Sequence, residues 1–457
     1  MNKQQHIDFI CRTVEQDLPK AQQLIRLAEL AMDHARKCGA SDSVISLSID
    51  QGLSLAVRKG EIETVEHTGD RGLSITVYRG HHKGDASTAD FTESAIKQVV
   101  EKACDIAHYT EEDLCLGLVD KELHAAEFVE FDHWHPLRHE LDELVEITTR
   151  CEQAGLDYHS DITNTEGANL TTQSGLTLLA NSRGFIGFKA GTGHSLSCVL
   201  VAGTDNSMQR DYWYDHSRDG GFLNDPEIIG KKAAERTIAR LGARQAPTGA
   251  VPILFAPEMA RGLIGNLVSA VAGSNQFRKT SFLLDSIGTQ VISDSISLIE
   301  QPHLLDGLRS SSFDAEGVAT HKKHLVKDGQ LQNYVLGSYS ARKLGLQTTA
   351  NAGGLYNLSV DSRTENFDSL LKKMGNGLFV TEFMGQGVNM LTGDYSRGAS
   401  GFWVENGAIS YPVQEVTVAG NLQEMLMNIK AVGDDVDTRS STRTGSILVG
   451  EMMVSGK

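Results

Sequence analysis

The chain has 457 residues, of which 40% are apolar and 22% charged, with only 8 prolines. That is too long for one ordinary core, since domains run to about 100 to 200 residues, and too apolar for a disordered polymer. The formal charge of -17, from 59 acidic against 42 basic residues, repels phosphate backbones; no basic run overrides it, so direct nucleic-acid binding is disfavoured.

The polar N-terminus, MNKQQHIDFICRTVEQDLPK, lacks the apolar core of a secretory signal, and no later stretch approaches the roughly 20 apolar residues that cross a bilayer. A cytoplasmic protein without membrane contact is expected. KAQQLIRLAELAMDHARKCGA sets Leu24, Leu27, Ala31, Ala35 and Cys38 on one helical stripe that stops at Gly39. Alternating residues then predict short strands at 45–49, 53–57 and 73–77, punctuated by Gly52, Gly60, Gly69 and Gly72, as an antiparallel meander. ADFTESAIKQVVEKACDIA has apolar residues at helical intervals, with Asp90 and Glu93 at the spacing of a capping pair, and another long helix is predicted over 137–158. Strands return over 170–202, PEIIGKKAAERTIARLG reads as a helix ending at Gly242, and RQAPTGAVP (244–252) as a linker. The boundary is placed there, giving domains 1–245 and 246–457. Beyond it, PILFAPEMARGLIGNLVSA passes from a buried strand through Pro257 and Glu258 into a helix, and KDGQ (327–330) and ENG (405–407) are hairpin turns. The class is α+β: two domains of antiparallel sheets with packed helices, with the look of a weak internal duplication.

Chemistry is harder to place. His135, His139 and Glu143 have helical spacing, but Pro136 biases His135 towards an extended backbone, and a solvated pair is the preferred reading. His81 and His82, and the run His321, Lys322, Lys323 and His324, read as surface. Cys11, Cys38, Cys104, Cys115, Cys151 and Cys198 all lie in the first half without a CxxC pair, which fits a reducing compartment and assigns none a role. No GxSxG elbow or GK[ST] loop occurs. QFRKTSFLLDSIG, GSYSARKLGL and TGDYSRGASGFWVENG each join a cation to small hydroxyl residues, so Arg278, Arg342 and Arg397 read either as buried guanidinium pairs or as a groove wall meeting peptide carbonyls and carboxylates.

FRKTSFLLDSIG, SYSARKLGL, ANAGG, MGQGVNMLTGDYSRGASGFWVENG and YPVQEVTVAGNLQEM, in that order, resemble the PmbA (TldE) branch of the TldD/PmbA family, most strongly from about residue 251 onward. The resemblance implies a two-domain cytoplasmic protein that pairs with a TldD-like subunit to form a metallopeptidase cleaving unfolded peptides and peptide precursors. The TldD branch carries HExxxH at the start of the helix after this strand, where two histidines bind zinc and the glutamate activates water. With the glutamates matched, Glu258 holds the base position, Pro257 stands at the first histidine and Gly262 at the second, with Arg261 the alternative. The sister branch's cysteine ligand falls near Thr444. All three ligands are missing, so no metal is expected in this chain and zinc is expected in the TldD-like partner. Read this way, Glu258 is a favourable first-turn carboxylate rather than a catalyst. The competing readings are a non-enzymatic peptide-binding or regulatory protein acting alone or as a homodimer, and a hydrolase with an unrecognised Ser, Asp or Arg site.

Overall fold

Asn2 and Gln5 close a capping box on α1 (Lys3–Val14), a helix the sequence reading did not assign, whose Ile7, Ile10 and Val14 are buried at helical spacing. The computed structural model describes residues 1–18, 21–305 and 307–456. In α2 (Ala21–Lys37) Leu24, Ala31 and Ala35 of the predicted stripe are buried together with Ala21 and Ala28, Leu27 and Cys38 are only half-buried, and Gly39 follows at φ 87°.

The predicted short strands fuse. β1 (Asp42–Arg58) and β2 (Glu61–Arg79) are continuous ribbons, and Gly52 lies mid-strand rather than at a turn. A Cβ on Gly52 would stand 2.8 Å from Thr68 Oγ1 and 3.1 Å from Thr172 O, so this glycine lets three strands pass closely. β3 (His82–Thr88) pairs only with residues 73–79 of β2, leaving the outer edge of 61–72 open. α3 (Glu93–Tyr109) is capped by Thr92, not by Asp90; Asp90 instead accepts the Thr92 N–H in a tight turn before the helix. α4 (Leu141–Leu156) starts four residues later than predicted, behind a Glu140–Glu143 capping box. β4 (Ile162–Asn181), β5 (Ile186–Ala202) and β6 (Gln209–Ser217) complete an antiparallel six-stranded sheet in the order β3-β2-β1-β4-β5-β6. Beneath it, α1 to α3 cover Ile45, Leu47, Leu73 and Ile75, while α4 and α5 (Pro226–Ala239) cover Leu55, Leu170, Leu196 and Leu200.

The linker is pinned rather than free: Arg244 donates its N–H to Pro412 O at 3.1 Å, and its guanidinium lies 3.6 Å from the Tyr411 ring centroid. β7 (Gly249–Phe255) then leads into α6 (Pro257–Ala270), as predicted, and α7 (Gly273–Phe277) follows. β8 (Ser297–Glu300), β9 (Lys323–Lys327) and β10 (Gln330–Leu331) precede the short α8 (Ser338–Lys343). β11 (Leu358–Asp361), β12 (Thr364–Glu365) and α9 (Phe367–Met374) follow, then β13 (Gly377–Met384), β14 (Asp394–Glu405) and β15 (Ala408–Asn421). The chain ends in α10 (Leu422–Met427), β16 (Ile429–Gly433), β17 (Thr442–Arg443) and β18 (Ile447–Ser455). Both predicted hairpin turns are present, with Asp328 and Gly329, and Asn406 and Gly407, at positive φ.

The class is α+β, with two refinements. Three pairings in the second half, β7–β13, β12–β16 and β11–β17, are parallel. The halves also do not repeat one another, because β18 bonds both β15 and β7 and closes a barrel through β13 and β14, while the first sheet stays open. The barrel is filled by Ile253, Phe255, Val380, Val416, Val418 and Val449, with Ile264 and Leu267 of α6 packed on it. Lys323, read as solvated, is a correction: its ammonium lies 2.8 Å from the fully buried Glu300, whose other oxygen accepts from Asn351 and the Tyr356 N–H. His81 and His82 are half-buried, with Nδ1 facing the carbonyls of Leu116 and Thr110.

Candidate functional site

Barrel closure brings the start of α6 to the edge of the first sheet. Phe255 ends β7, the Ala256 N–H bonds Val380 O at 3.0 Å, and Pro257 begins the helix where its missing N–H costs nothing. Glu258 therefore sits in the first helical turn, where the helix dipole favours a carboxylate by about 0.3 to 1 kcal/mol. It opens onto a cleft of about 790 Å³. β6 and α5 supply one wall, with Trp213, Tyr214 and Arg236; Phe379, Thr381, Phe402 and the 435–439 loop supply the other.

The carboxylate does not face that space alone. Arg439 Nη2 lies 3.1 Å from Glu258 Oε1, while Asp437 grips the same guanidinium through Nε at 2.9 Å and Nη2 at 3.2 Å. Arg439 Nη1 donates to Tyr214 O at 2.9 Å, and its plane lies 4.1 Å from the Trp213 ring and 4.5 Å from that of Tyr214. Burial alone would lower the Arg439 pKa; the hydrogen bond and charge of Asp437, with Tyr214 and Glu258 behind them, carry it above its ordinary value. A second guanidinium, Arg261, stands 3.7 Å from Asp437 Oδ2 and donates to Tyr214 Oη at 3.4 Å.

The four positions aligned with the zinc motif separate. Pro257, Glu258 and Gly262 line the cleft or its adjoining lobe of about 250 Å³, and a Cβ on Gly262 would meet nothing within 4 Å. Thr444 lies behind the wall, buried, with its carbonyl accepting the Asp437 N–H at 3.1 Å and its hydroxyl donating to Gly445 O. These residues do not suit a catalytic zinc, which needs about three His, Cys or carboxylate ligands and an open position. Among the described residues no group of three His, Cys, Asp or Glu side chains is placed to hold a metal, and the cation paired with Glu258 is Arg439. His135 and His139 both precede α4: His135 lies 3.1 Å from Asp132 and His139 3.1 Å from Glu143.

The three arginines read as a groove wall do not converge. Arg397 lines the smaller lobe, donating to Gly385 O with its guanidinium 4.4 Å from the Phe383 ring. Arg342 does meet carbonyls, but those of this chain: Cys115 at 3.1 Å, Gly117 at 2.9 Å and Leu118 at 2.5 Å, which ties α8 to the first half. Arg278 is exposed beside Phe277. Sequence reasoning missed Arg439, Asp437, Arg236 and the Trp213–Tyr214 pair. One signal was present: RDYWYDHS alternates acids with aromatics, and Asp211 and Asp215 are buried on one face of β6. The edge of β6 is also largely spoken for, because the Tyr212 and His216 N–H groups bond the preceding aspartates and the Tyr214 carbonyl bonds Arg439.

Three family models match the chain in order: PmbA/TldA metallopeptidase domain 1 over residues 44–107, the central domain over 134–241 and the C-terminal domain over 248–456. The metalloprotease PmbA of Escherichia coli O157:H7 is 46% identical over 420 residues, covering 92% of this chain and 93% of that protein. The chain belongs to the PmbA/TldD metallopeptidase family, on its PmbA/TldE branch. A Bacteroides thetaiotaomicron structure described as a putative modulator of DNA gyrase superposes with a TM-score of 0.89 at 27% identity, covering 94% of this chain and 98% of that one. TldE from Thermococcus kodakarensis shares the fold, with a TM-score of 0.82 at 19% identity over 94% of this chain and all of that one (100%). Within the PmbA/TldD family, then, this chain has the whole fold and an arginine-paired glutamate at the head of α6.

Proposed function

We propose that this chain is the subunit of a heteromeric metallopeptidase that does not hold the metal, paired with a TldD-like subunit that carries the zinc and acting on unfolded peptides and peptide precursors. One observation carries the reading: Glu258 is salt-bridged to Arg439, and a second guanidinium stands nearby on Asp437. A general base needs an oxygen free to take a proton from water, and a dication needs donors; here one carboxylate oxygen is already held by an arginine, and among the described residues no set of three His, Cys, Asp or Glu donors is assembled for a metal. The chain's contribution is then the aromatic wall of Trp213, Tyr214, Phe379 and Phe402, which contacts side chains of many kinds without demanding a sequence. Main-chain pairing of a peptide with β6 is disfavoured by the bonds already made there, which leaves the open β2 edge as the strand edge suited to augmentation. Among the described residues no helix is long and apolar enough to cross a membrane, and with six free thiols the reading places the protein in the cytoplasm.

The test is to purify this chain alone and together with a TldD-like chain bearing HExxxH. Alone, it is expected to hold far less than one zinc and to leave an unstructured peptide intact. The pair is expected to cleave, and to keep cleaving with Glu258→Gln in this subunit. Stoichiometric zinc and cleavage by the single chain would end the proposal. A peptide-binding protein acting alone or as a homodimer has one observation in its favour, a cleft complete within one chain; peptide binding with no TldD-like chain copurifying would select it.

A further inference from the structure

The thiols are not scattered at random. Cys38 follows the last residue of α2, its N–H bonded to His34 O at 2.9 Å, and Cys104 lies in α3. The two helices pack side by side in matching register: His34, one turn before Cys38, faces Glu101, three residues before Cys104, with Nε2 to Oε1 at 2.9 Å. Ala28, Ala31 and Ala35 of α2 and Ala103 and Ala107 of α3 are all buried, and side chains this small let helices approach closely. At the end of this seam Cys38 packs against the buried cluster that holds Cys104, and the two thiols interact. Cys38 is half-buried and reachable from solvent, whereas Cys104 is 4% exposed. The Arg79 guanidinium lies against Gly39, beside the pair, and its positive charge acts on Cys104.

We propose that Cys38 and Cys104 are a site of reversible oxidative modification, closing to a disulfide that staples α2 to α3 when the protein meets a peroxide. The Cys38 thiolate attacks one peroxide oxygen and the O–O bond breaks, giving a sulfenic acid and hydroxide. Cys104 sulfur then attacks the Cys38 sulfur, the S–O bond breaks, and the hydroxyl leaves as water with the Cys104 proton. Two electrons pass from the sulfurs to one peroxide, and a dithiol returns them. Cys38 is the entry point because it is the more accessible partner. Burial pushes the Cys104 thiol up to about 11, so it resolves the intermediate rather than starting the reaction.

The fold supplies its own control. Cys151 of α4 and Cys198 of β5 also interact within one buried cluster, yet both are fully buried. Full-length chain carrying Cys115→Ser, which removes the other cysteine from the tryptic peptide 103–121, is treated with hydrogen peroxide, alkylated, digested and read by mass spectrometry. The expected product is peptide 38–58 linked to 103–121, formed at least tenfold faster than any loss of the Cys151 and Cys198 thiols and reversed by dithiothreitol. Cys38→Ser is expected to leave Cys104 fully alkylatable. The proposal is overturned if Cys104 stays free while Cys38 oxidises, if Cys104 is lost equally fast in the Cys38→Ser chain, or if the sealed pair oxidises at the same rate.

Discussion

Glu258, Arg439 and Asp437 form a chain of charges in which each member is answered by the next, with side chains 15%, 14% and 5% exposed. Removing the middle member leaves Glu258 without its cation and Asp437 with only the more distant Arg261. Arg439→Ala is expected to cost about 2 to 4 kcal/mol, towards the lower part of the range for breaking buried pairs because solvent reaches the edge of the cleft. Arg439→Lys should recover less than half, since an ammonium cannot span Asp437 and Glu258 as the guanidinium fork does. Urea unfolding measures both, and a loss below about 0.5 kcal/mol for Arg439→Ala would show that the pair is solvated. The sequence exposed Glu258 through a strand, a proline and a helical stripe that are contiguous. Its partner was hidden because it lies 181 residues away and meets it only through barrel closure. His6 supplies a pH test at the same scale. Burial first, and then the charged N-terminus, lower its pKa to about 4 despite the bond to Phe188, while the unfolded ring keeps about 6.5. The folded state thus binds fewer protons between those values, so its contribution is present above pH 6.5 and lost as pH falls to about 4, on the order of 3 kcal/mol in all. His6→Leu should flatten that limb of the stability curve; an unchanged slope would count against it.

At the scale of elements, local chemistry was legible wherever a turn or helix end is decided by adjacent residues. Asn406–Gly407 and Asp328–Gly329 demand positive φ and mark hairpins in sequence as in space. Gly52 misled for a physical reason: a strand glycine can mark a turn or a close approach, and only the neighbouring strands decide which. Thr68 and Thr172 lie far away in sequence, so the 17 residues of β1 read as two strands. Gly52→Val tests this directly. Its Cβ would meet the Thr172 carbonyl at 3.1 Å, backbone that cannot swing aside, and overpacking of this kind costs about 1 to 3 kcal/mol. A turn glycine at a free surface would tolerate the change, so a melting temperature equal to that of the parent would refute the close-approach account.

For the whole molecule, the question is what makes two differently built halves one body. Many contacts join them, and the following three are between residues far apart in sequence. Arg342 holds the Cys115, Gly117 and Leu118 carbonyls, and Arg240, which caps the end of α5, grips Glu382 of β13 at 2.6 Å. Phe313 comes from the second half yet is buried in a first-half cluster, 5.1 Å from the Phe185 ring and 6.0 Å from that of Phe128. The cleft is made of the surfaces these contacts oppose, since Trp213 and Glu258 belong to different halves. Phe313→Ala is expected to cost about 3 to 5 kcal/mol as a core truncation. Combined with Arg342→Ala it should do something a core loss alone would not: split the thermal transition into two, with the 1–245 and 246–457 units melting separately. Scanning calorimetry with near-ultraviolet dichroism follows both units, because Trp134 and Trp213 report on the first and Trp403 on the second. A single transition shifted downward, with both signals lost together, would mean that the two units share one cooperative core, and the cleft would then have to be understood as part of that core rather than as a seam between them.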